Sequence, residues 1–160
     1  MSIEKVRAFF RPLGREEDIL EFPVSSATVE LAAQAAGVIP ARIAKTLSFL
    51  VDEGCVLVVT AGDAKIDNGK FKAQFHTKAK MLTQEQVTQF TGHAVGGVCP
   101  FANPEGVKTY LDVSMRRFET VFPAAGSSNS AIQLTCQELE DYSGGLAWID
   151  VCKGWQDEQT

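Results

Sequence analysis

The sequence predicts a single domain of the α/β class, a mixed β-sheet flanked by helices, over all 160 residues. Two apolar runs, residues 43–51 and 55–61, surround the turn Asp52-Glu53-Gly54 and indicate a β-hairpin. Capping-box patterns that begin at Thr83 and Thr135 indicate two helices further along the chain. Short apolar pieces separated by Gly, Pro and Ser lie between these helices and indicate more strands. Strands interspersed with helices favour a sheet that is covered by helices.

Three more helices are predicted, the first two from apolar residues at helical spacing and the third as a short basic segment. They span residues 2–12, 26–36 and 68–75. We expect Ser25 or Ser26 to cap the start of the second of these helices and Gly37 to end it. Those residue types satisfy the free N–H groups at a helix start and adopt the left-handed conformation at its end.

The remaining strands are predicted from short apolar runs bounded by turn residues. They are residues 110–113, 120–122 and 131–134. The chain contains no internal repeat and no linker, so residues 1–160 are predicted to form one domain. The polar segment over about residues 151–160 is expected to be a loosely held tail.

Charge and composition restrict the possible functions. The net charge is -5, yet residues 42–117 carry ten Lys or Arg against seven Asp or Glu. The lysine run from Lys65 to Lys80 is typical of a solvated face, with phosphate binding as the alternative. Four cysteines without a CxxC pair indicate free thiols and no metal site. Since no apolar run approaches the roughly 20 residues of a membrane span and no secretory signal is evident, we expect a cytoplasmic protein without membrane contact.

The segment Gly96-Gly97-Val98-Cys99-Pro100 is the first candidate site. Adjacent glycines let a backbone approach a ligand closely and present N–H groups as an oxyanion hole does. An ordinary tight turn is the alternative. In the same segment Cys99 could be a nucleophile with His93 as its base, but six residues across a glycine turn fix no geometry.

Lys45 is the second candidate, because a charge is out of place inside an apolar strand. It could hold a phosphate or ribose oxygen or stabilise negative charge on an ester oxygen, or its side chain could simply extend to solvent. The small polar loop at residues 124–130 could form one wall of a pocket or be a plain loop. Asp63, Lys65 and Asp67 are expected to form surface charge pairs.

In their order along the chain, these segments resemble the YbaK/prolyl-tRNA-synthetase-associated family of aminoacyl-tRNA editing domains, also called the ProX or INS type. The matching stretches are residues 43–47, 61–67, 91–100 and 124–127, and the resemblance covers about residues 22–139. The Lys-Thr-Leu strand carries little weight alone, whereas its coupling to the GxxxP loop is specific. The resemblance implies a curved mixed sheet or partial barrel. It also implies hydrolysis of the ester that joins a wrong amino acid to tRNA, commonly tRNA for proline.

The resemblance assigns roles to five residues. Lys45 corresponds to the family's essential lysine near the terminal nucleotide. Gly96 and Pro100 match the GxxxP loop, in which the backbone N–H groups of Gly97 and Val98 would hold the ester carbonyl or position water. The family needs no metal, no cofactor and no covalent nucleophile, and a ribose hydroxyl of the substrate helps to activate the water.

The resemblance also suggests which residues contact the substrate. The predicted substrate-binding residues are Phe22, Thr46, Phe49, Cys99, Ala124, Ala125, Gly126 and Ser127. The predicted tRNA contacts are Lys65, Lys70 and Lys72. The cysteine-selective branch of the family has a Ser-Gly-Gly turn and an early tyrosine, where this chain has Ala124-Ala125-Gly126 and Phe22. We therefore expect the removal of a small residue such as alanine or 2-aminobutyrate rather than cysteine.

The function expected from the sequence is trans-editing of a mischarged aminoacyl-tRNA by hydrolysis. The expected partner is the acceptor end of that tRNA, with a prolyl-tRNA synthetase or elongation factor as a helper. Two alternatives remain open at this point. One is a non-catalytic module of the same fold that binds a nucleotide or RNA, and the other is a Cys99-dependent hydrolase of thioesters or small esters.

Overall fold

The computed structural model describes residues 2–26, 28–93 and 98–155 and is built around a curled six-stranded half-barrel sheet. The α-helices are α1 (Ser2–Phe10), α2 (Val29–Ala36), α3 (Asn68–Phe75), α4 (Gln84–Thr91) and α5 (Cys136–Ser143). The strands are β1 (Ile19–Glu21), β2 (Ile43–Val51), β3 (Gly54–Ala61), β4 (Lys65–Ile66), β5 (Lys108–Asp112), β6 (Thr120–Pro123), β7 (Ser130–Ile132), β8 (Leu134–Thr135), β9 (Trp148–Ile149) and β10 (Cys152–Lys153). This confirms the predicted mixed α/β class.

The main sheet has the strand order β8-β6-β2-β3-β5-β9. The predicted hairpin of β2 and β3 forms its centre, and its turn places Asp52 and Glu53 in the left-handed region, with φ of 50° and 64°. Strand β3 is buried along almost its whole length, as expected for a continuous apolar run at the middle of a sheet. Strand β6 pairs in parallel with the start of β2, where Ile43 lies opposite Phe122. This pairing brings two distant parts of the sequence together beside Lys45.

Two small antiparallel sheets complete the strands, one of β1 with β7 and one of β4 with β10. The predicted strand over 131–134 is in fact two strands, because β7 ends at Ile132 and β8 begins at Leu134 in a different sheet. Part of the segment expected to be a loose tail is also in the structure's core, since Val151 and Cys152 are fully buried. Residues 156–160 lie outside the described residues.

The helix boundaries follow local capping chemistry. Both predicted capping boxes form, at Thr83 and Thr135. The start of α2 differs from the prediction: its cap is Thr28, whose hydroxyl accepts a hydrogen bond from the N–H of Leu31 at 3.2 Å. The predicted end at Gly37 is confirmed, with a left-handed φ of 72°. None of the helices in the described part of the chain is long and apolar enough to cross a membrane.

Two apolar clusters matter for the site. The larger one packs α1, α3 and α5 against the sheet and includes Phe10 and Phe71, which are fully buried. A smaller cluster joins α2 to the strands beside it. Its buried members are Ala32, Ala33, Ile43, Phe122 and Ala131. This smaller cluster forms the floor of the only region where the predicted site residues Lys45, Thr46, Val98 and Ala124 meet in the described structure.

Candidate functional site

A cleft of about 220 Å³ opens where the start of α2 faces the start of β2 and the loop between β6 and β7. Its lining residues are Ser26, Thr28, Val29, Ala32, Ile43, Ala44, Lys45, Thr46, Val98, Phe122, Ala124, Ser130 and Ala131. The parallel pairing of β2 with β6 and an isolated bridge between Ala124 and Ala131 bring these segments together. Of the described lining residues, Lys45 is the only charged one. The cleft is thus mostly apolar, with one cation and a few hydroxyl groups.

Lys45 is held at one end of this cleft by backbone carbonyl groups. In the hairpin Lys45 lies opposite Thr60 of β3. The turn that follows β3 begins two residues after Thr60, at Gly62. Its Nζ atom donates to the carbonyl oxygen of Ala64 at 2.5 Å and to that of Gly62 at 3.5 Å. These contacts orient the ammonium group without neutralising it, so the cation stays available to a ligand in the cleft.

The surroundings of Lys45 lower the pKa of its ammonium group below that of an ordinary lysine. Burial lowers the pKa of Lys45 because the half-buried cation loses hydration. The nearby carboxylates of Asp63 and Glu30 oppose this shift in pKa, whereas the positive charge of Lys65 adds to it. A cation in such partly dry surroundings interacts more strongly with a developing negative charge than an exposed lysine does.

Gly62 is needed because the backbone passes close to its neighbours at this turn. A Cβ atom at residue 62 would lie 2.1 Å from the carbonyl oxygen of Pro40 and 2.7 Å from Cγ1 of Val29. Any larger residue would push the turn away from α2 and from the turn at Pro40. The absence of a side chain at Gly62 therefore sets the position of the carbonyl groups that hold Lys45.

Hydroxyl groups supply the other polar atoms of the cleft. Thr46 Oγ1 is buried and has no hydrogen-bond partner within the described residues. Ser130 Oγ lies 2.7 Å from Ser127 Oγ, which also donates to Asn129 Oδ1 at 2.9 Å. Ser127 thus supports the cleft wall through Ser130 rather than lining the cleft itself.

The predicted glycine-proline loop is only partly within the described structure. Gly96 and Gly97 lie outside the described residues. Val98 lines the cleft together with Lys45, as the sequence predicts. Pro100 instead lines a separate cavity beside Phe9 and Tyr142, and its predicted part in catalysis stays a prediction.

Cys99 and His93 do lie together, with 3.6 Å between the Cys99 Sγ and His93 Nε2 atoms. Burial raises the pKa of the Cys99 thiol to about 12, and burial lowers the pKa of His93. His93 Nε2 is also 3.0 Å from the carbonyl oxygen of Phe101, which can only accept, so this nitrogen carries a proton there. The nitrogen nearest the thiol therefore cannot act as its base. Cys99 is fully buried in the core and is not among the described cleft-lining residues, so the structure does not support its predicted substrate contact.

The other predicted substrate contacts divide between the cleft and the core. Thr46 and Ala124 line the cleft. Phe49 does not, because it lies four residues beyond Lys45 along β2 and packs in the core against Phe71, with 4.7 Å between ring centroids. Ala125 is also fully buried in the main core.

Two predicted contacts lie beside the cleft without lining it. Phe22 is half-buried against the smaller apolar cluster below the floor. Gly126 is buried and has a left-handed φ of 98°, so it supplies the turn of the loop rather than a surface.

The predicted tRNA contacts differ in availability. Lys65 and Lys72 are exposed. Lys70 is engaged, because its Nζ atom lies 3.0 Å from both Asp150 Oδ1 and the carbonyl oxygen of Cys152. The expected surface charge pairs also differ, since Asp63 pairs with the distant Arg117 and Asp67 caps α3.

Several lining residues were not predicted from the sequence. They are Ser26, Thr28, Val29, Ala32, Ile43, Ala44, Phe122 and Ala131, whereas Ser130 belongs to the loop at 124–130 that was predicted as a possible pocket wall. Their side chains are small or apolar and of types found throughout a protein, so only their assembly around Lys45 reveals them as lining residues. Within residues 2–26, 28–93 and 98–155, no three His, Cys, Asp or Glu side chains are grouped to hold a metal ion.

Comparison with known protein families agrees with this geometry. The model of the aminoacyl-tRNA editing domain family matches residues 24–142, a span that includes Lys45, the loop at 96–100 and every described residue of the cleft. The chain belongs to this family. Its resemblance to editing domains associated with prolyl-tRNA synthetase, first inferred from sequence motifs, is thereby confirmed.

Relatives of this editing domain fall into two groups. The uncharacterized protein YwhH of Bacillus subtilis is 53% identical over 157 residues, which are 98% of this chain and 100% of YwhH. A proline–tRNA ligase of Thermotoga maritima is 32% identical over 125 residues, which are 78% of this chain but 21% of the ligase. The editing domain thus spans about a fifth of the length of that ligase.

A solved structure shares the whole fold of this editing domain. It is described as a candidate trans-editing enzyme for prolyl tRNA synthetase and superimposes with a TM-score of 0.85 at 28% sequence identity. The superposition covers 96% of this chain and 98% of the other chain. The half-barrel around the cleft is therefore a shared feature of the two proteins.

Proposed function

We propose that this editing domain is an aminoacyl-tRNA deacylase that acts in trans on tRNA for proline carrying a small wrong amino acid. The observation that carries the proposal is the cleft itself, in which Lys45 is the only charged residue among the described lining residues. An aminoacyl ester is already activated, so orientation and one electrostatic contact supply much of what its hydrolysis needs. Such a cleft needs no covalent nucleophile.

The proposed chemistry is the attack of water on the ester carbonyl. The carbonyl oxygen then gains negative charge, which the Lys45 ammonium group and backbone N–H groups of the loop at 96–100 stabilise. Collapse of the tetrahedral intermediate breaks the bond to the ribose oxygen and releases the amino acid and the free tRNA. We propose that a ribose hydroxyl of the substrate helps to activate the water, since the described lining residues include no histidine or carboxylate.

The size of the cleft supports a small side chain on the substrate. The floor of Ala32, Ile43 and Phe122 is apolar, and Ala124 narrows the wall. Such a pocket favours alanine or 2-aminobutyrate over a polar amino acid. Its discrimination between sizes is modest, about 1–3 kcal/mol for each methylene group.

The proposed partner is the acceptor end of the tRNA. Lys65 and Lys72 are exposed and can contact its phosphates, whereas Lys70 is tied to Asp150 and contributes little. Because a matching segment forms part of proline–tRNA ligases, we propose that this domain works beside a prolyl-tRNA synthetase. An elongation factor is the other proposed helper.

The test is to incubate the protein with tRNA for proline that carries alanine, 2-aminobutyrate, serine, cysteine or proline, and to measure ester loss. We expect rapid loss of alanine and 2-aminobutyrate, slower loss of cysteine, and retention of proline. Lys45→Met should abolish the loss, while the exposed control Lys78→Met should not. If no charged tRNA loses its amino acid, the protein is a non-catalytic binding module and the proposal is wrong.

A further inference from the structure

Beside the cleft, Asp63 and Arg117 form a two-pronged ion pair that the proposed chemistry does not use. Arg117 Nη1 lies 3.0 Å from Asp63 Oδ2, and Arg117 Nη2 lies 2.5 Å from Asp63 Oδ1. The side chain of Arg117 is only 13% exposed and that of Asp63 only 21%. A bidentate pair of this kind fixes the orientation of the carboxylate as well as its distance from the guanidinium group. Partial burial protects the pair from screening by solvent.

Arg117 is itself held from several sides. Its Nε atom donates to the carbonyl oxygen of Ser114 at 2.9 Å. Its guanidinium group lies 4.9 Å from the ring centroid of Phe118 and 5.1 Å from that of Trp155. The Ser114 hydroxyl accepts from the N–H of Ala61 at 3.1 Å, which ties the same segment to the end of β3. Arg117 is therefore held in one position, and its ion pair with Asp63 fixes the turn that contains Asp63.

Asp63 belongs to the turn that holds Lys45. It stands between Gly62 and Ala64, whose carbonyl oxygens accept the hydrogen bonds of the Lys45 ammonium group. The pull of Arg117 on Asp63 thus sets the direction of both carbonyl groups. It also neutralises the carboxylate, whose negative charge acts on the Lys45 ammonium group.

We infer that Arg117 is a positioning residue for Lys45, which keeps the turn at 62–64 in place and prevents Asp63 from capturing the ammonium group. This inference rests on the proposed deacylase function for its catalytic consequence. Without Arg117, an unpaired and partly buried carboxylate would stand in the same turn whose carbonyl groups hold the Lys45 ammonium group. The two would pair, and Lys45 would turn away from the cleft.

The first test measures the state of Lys45 without relying on activity. Competitive acetylation at several pH values, read by mass spectrometry, reports the pKa and reactivity of each lysine. In Arg117→Ala we expect the pKa of Lys45 to rise and its reactivity to fall relative to Lys72, because a direct pair with Asp63 forms. In Arg117→Ala with Asp63→Asn this change should disappear. An unchanged Lys45 in folded Arg117→Ala overturns the inference whether or not the protein is active.

The second test is kinetic and uses the misacylated tRNA. Arg117→Ala should lower kcat by about ten-fold or more with little change in KM, since a shift of about 1 Å in a catalytic group has effects of this size. Adding Asp63→Asn should restore part of kcat, and Arg117→Lys should lie between the wild type and Arg117→Ala. A change in KM with kcat unchanged in Arg117→Ala overturns the inference. A kcat for the double variant below that of Arg117→Ala also overturns it.

A matched control separates positioning from general stability. Arg15 also forms two ion pairs, an exposed one with Asp18 and a partly buried one with Glu138, but it lies outside the cleft and the turn. Arg15→Ala should lower the melting temperature without changing Lys45 acetylation or kcat. If Arg15→Ala lowers kcat as much as Arg117→Ala does, the effect of Arg117 is structural and the inference is wrong. Inactivity of the wild type would instead contradict the proposed function and leave the acetylation result to decide the role of Arg117.

Discussion

The Nζ atom of Lys45 donates a hydrogen bond to the carbonyl oxygen of Ala64, 2.5 Å away. This contact joins β2, the first strand of the central hairpin, to the turn at residues 62–64 that follows β3. It fixes the one charged group among the described residues of the cleft, so the charge of Lys45 and the shape of that turn are the two properties that experiments can vary.

The charge of Lys45 predicts a pH dependence for ester hydrolysis. Burial lowers the pKa of Lys45, so the ammonium form is present below that pKa and is lost as the pH rises through it. The enzyme-catalysed rate should therefore fall on the alkaline side at a pH below the ordinary lysine value of about 10.4. The measurement is single-turnover ester loss over neutral to alkaline pH, corrected for spontaneous hydrolysis with Lys45→Met. Lys45→Arg, which keeps its charge, should show no such fall, and a wild-type rate that only rises with pH would contradict this role.

Replacing Cys99 by alanine should leave deacylation within about two-fold of wild type. The thiol is fully buried, its pKa is raised to about 12, and the nearest His93 nitrogen already donates to a carbonyl group. The free energy of unfolding should fall by about 1 kcal/mol because a small core cavity forms. Denaturant unfolding and ester loss on the same preparation check both values. Complete loss of hydrolysis in folded Cys99→Ala would favour the thiol-dependent hydrolase instead.

Gly62→Ala should impair both stability and activity. The added Cβ atom would lie 2.1 Å from the carbonyl oxygen of Pro40, so the turn must move and carry the carbonyl groups that hold Lys45. We expect a loss of about 1–3 kcal/mol in the free energy of unfolding and at least about a ten-fold drop in kcat. Gly54→Ala is the matched control, because its Cβ would meet Val51 at an ordinary 3.6 Å. Equal activity of the two variants would show that the turn at Gly62 does not position Lys45.

Ala124→Val should narrow the range of amino acids that are removed. Ala124 is half-buried on the cleft wall, so we expect the two added methyl groups to enter the space for the substrate side chain. Hydrolysis of the 2-aminobutyrate ester should fall by about ten-fold more than that of the alanine ester, equivalent to about 1.4 kcal/mol. The ratio of kcat/KM for the two charged tRNAs measures this. An unchanged ratio would place the side chain of the amino acid elsewhere.

Much of the fold was accessible from local sequence signals. The hairpin between Ile43 and Ala61, the helix at Asn68–Phe75 and the capping boxes at Thr83 and Thr135 all formed as predicted. Each depends on residues close together in the chain, such as a hydroxyl group that caps an N–H three residues later. The predicted cap of α2 was wrong because three hydroxyl residues, Ser25, Ser26 and Thr28, lie close together in the sequence, and the helix begins after the last of them.

The sequence by itself determined the fold class, the family and the importance of Lys45, because apolar periodicity, capping residues and motif order are properties of the chain alone. Only the tertiary structure decided which residues surround that lysine. Phe49 went to the core because it lies further along β2, beside Phe71, whereas Phe122 and Ala131 reached the cleft through strand pairing. The partner of Asp63 is 54 residues away at Arg117, a pairing that no local pattern reveals. Contacts of that kind arise from sheet register and packing, which the whole chain sets together.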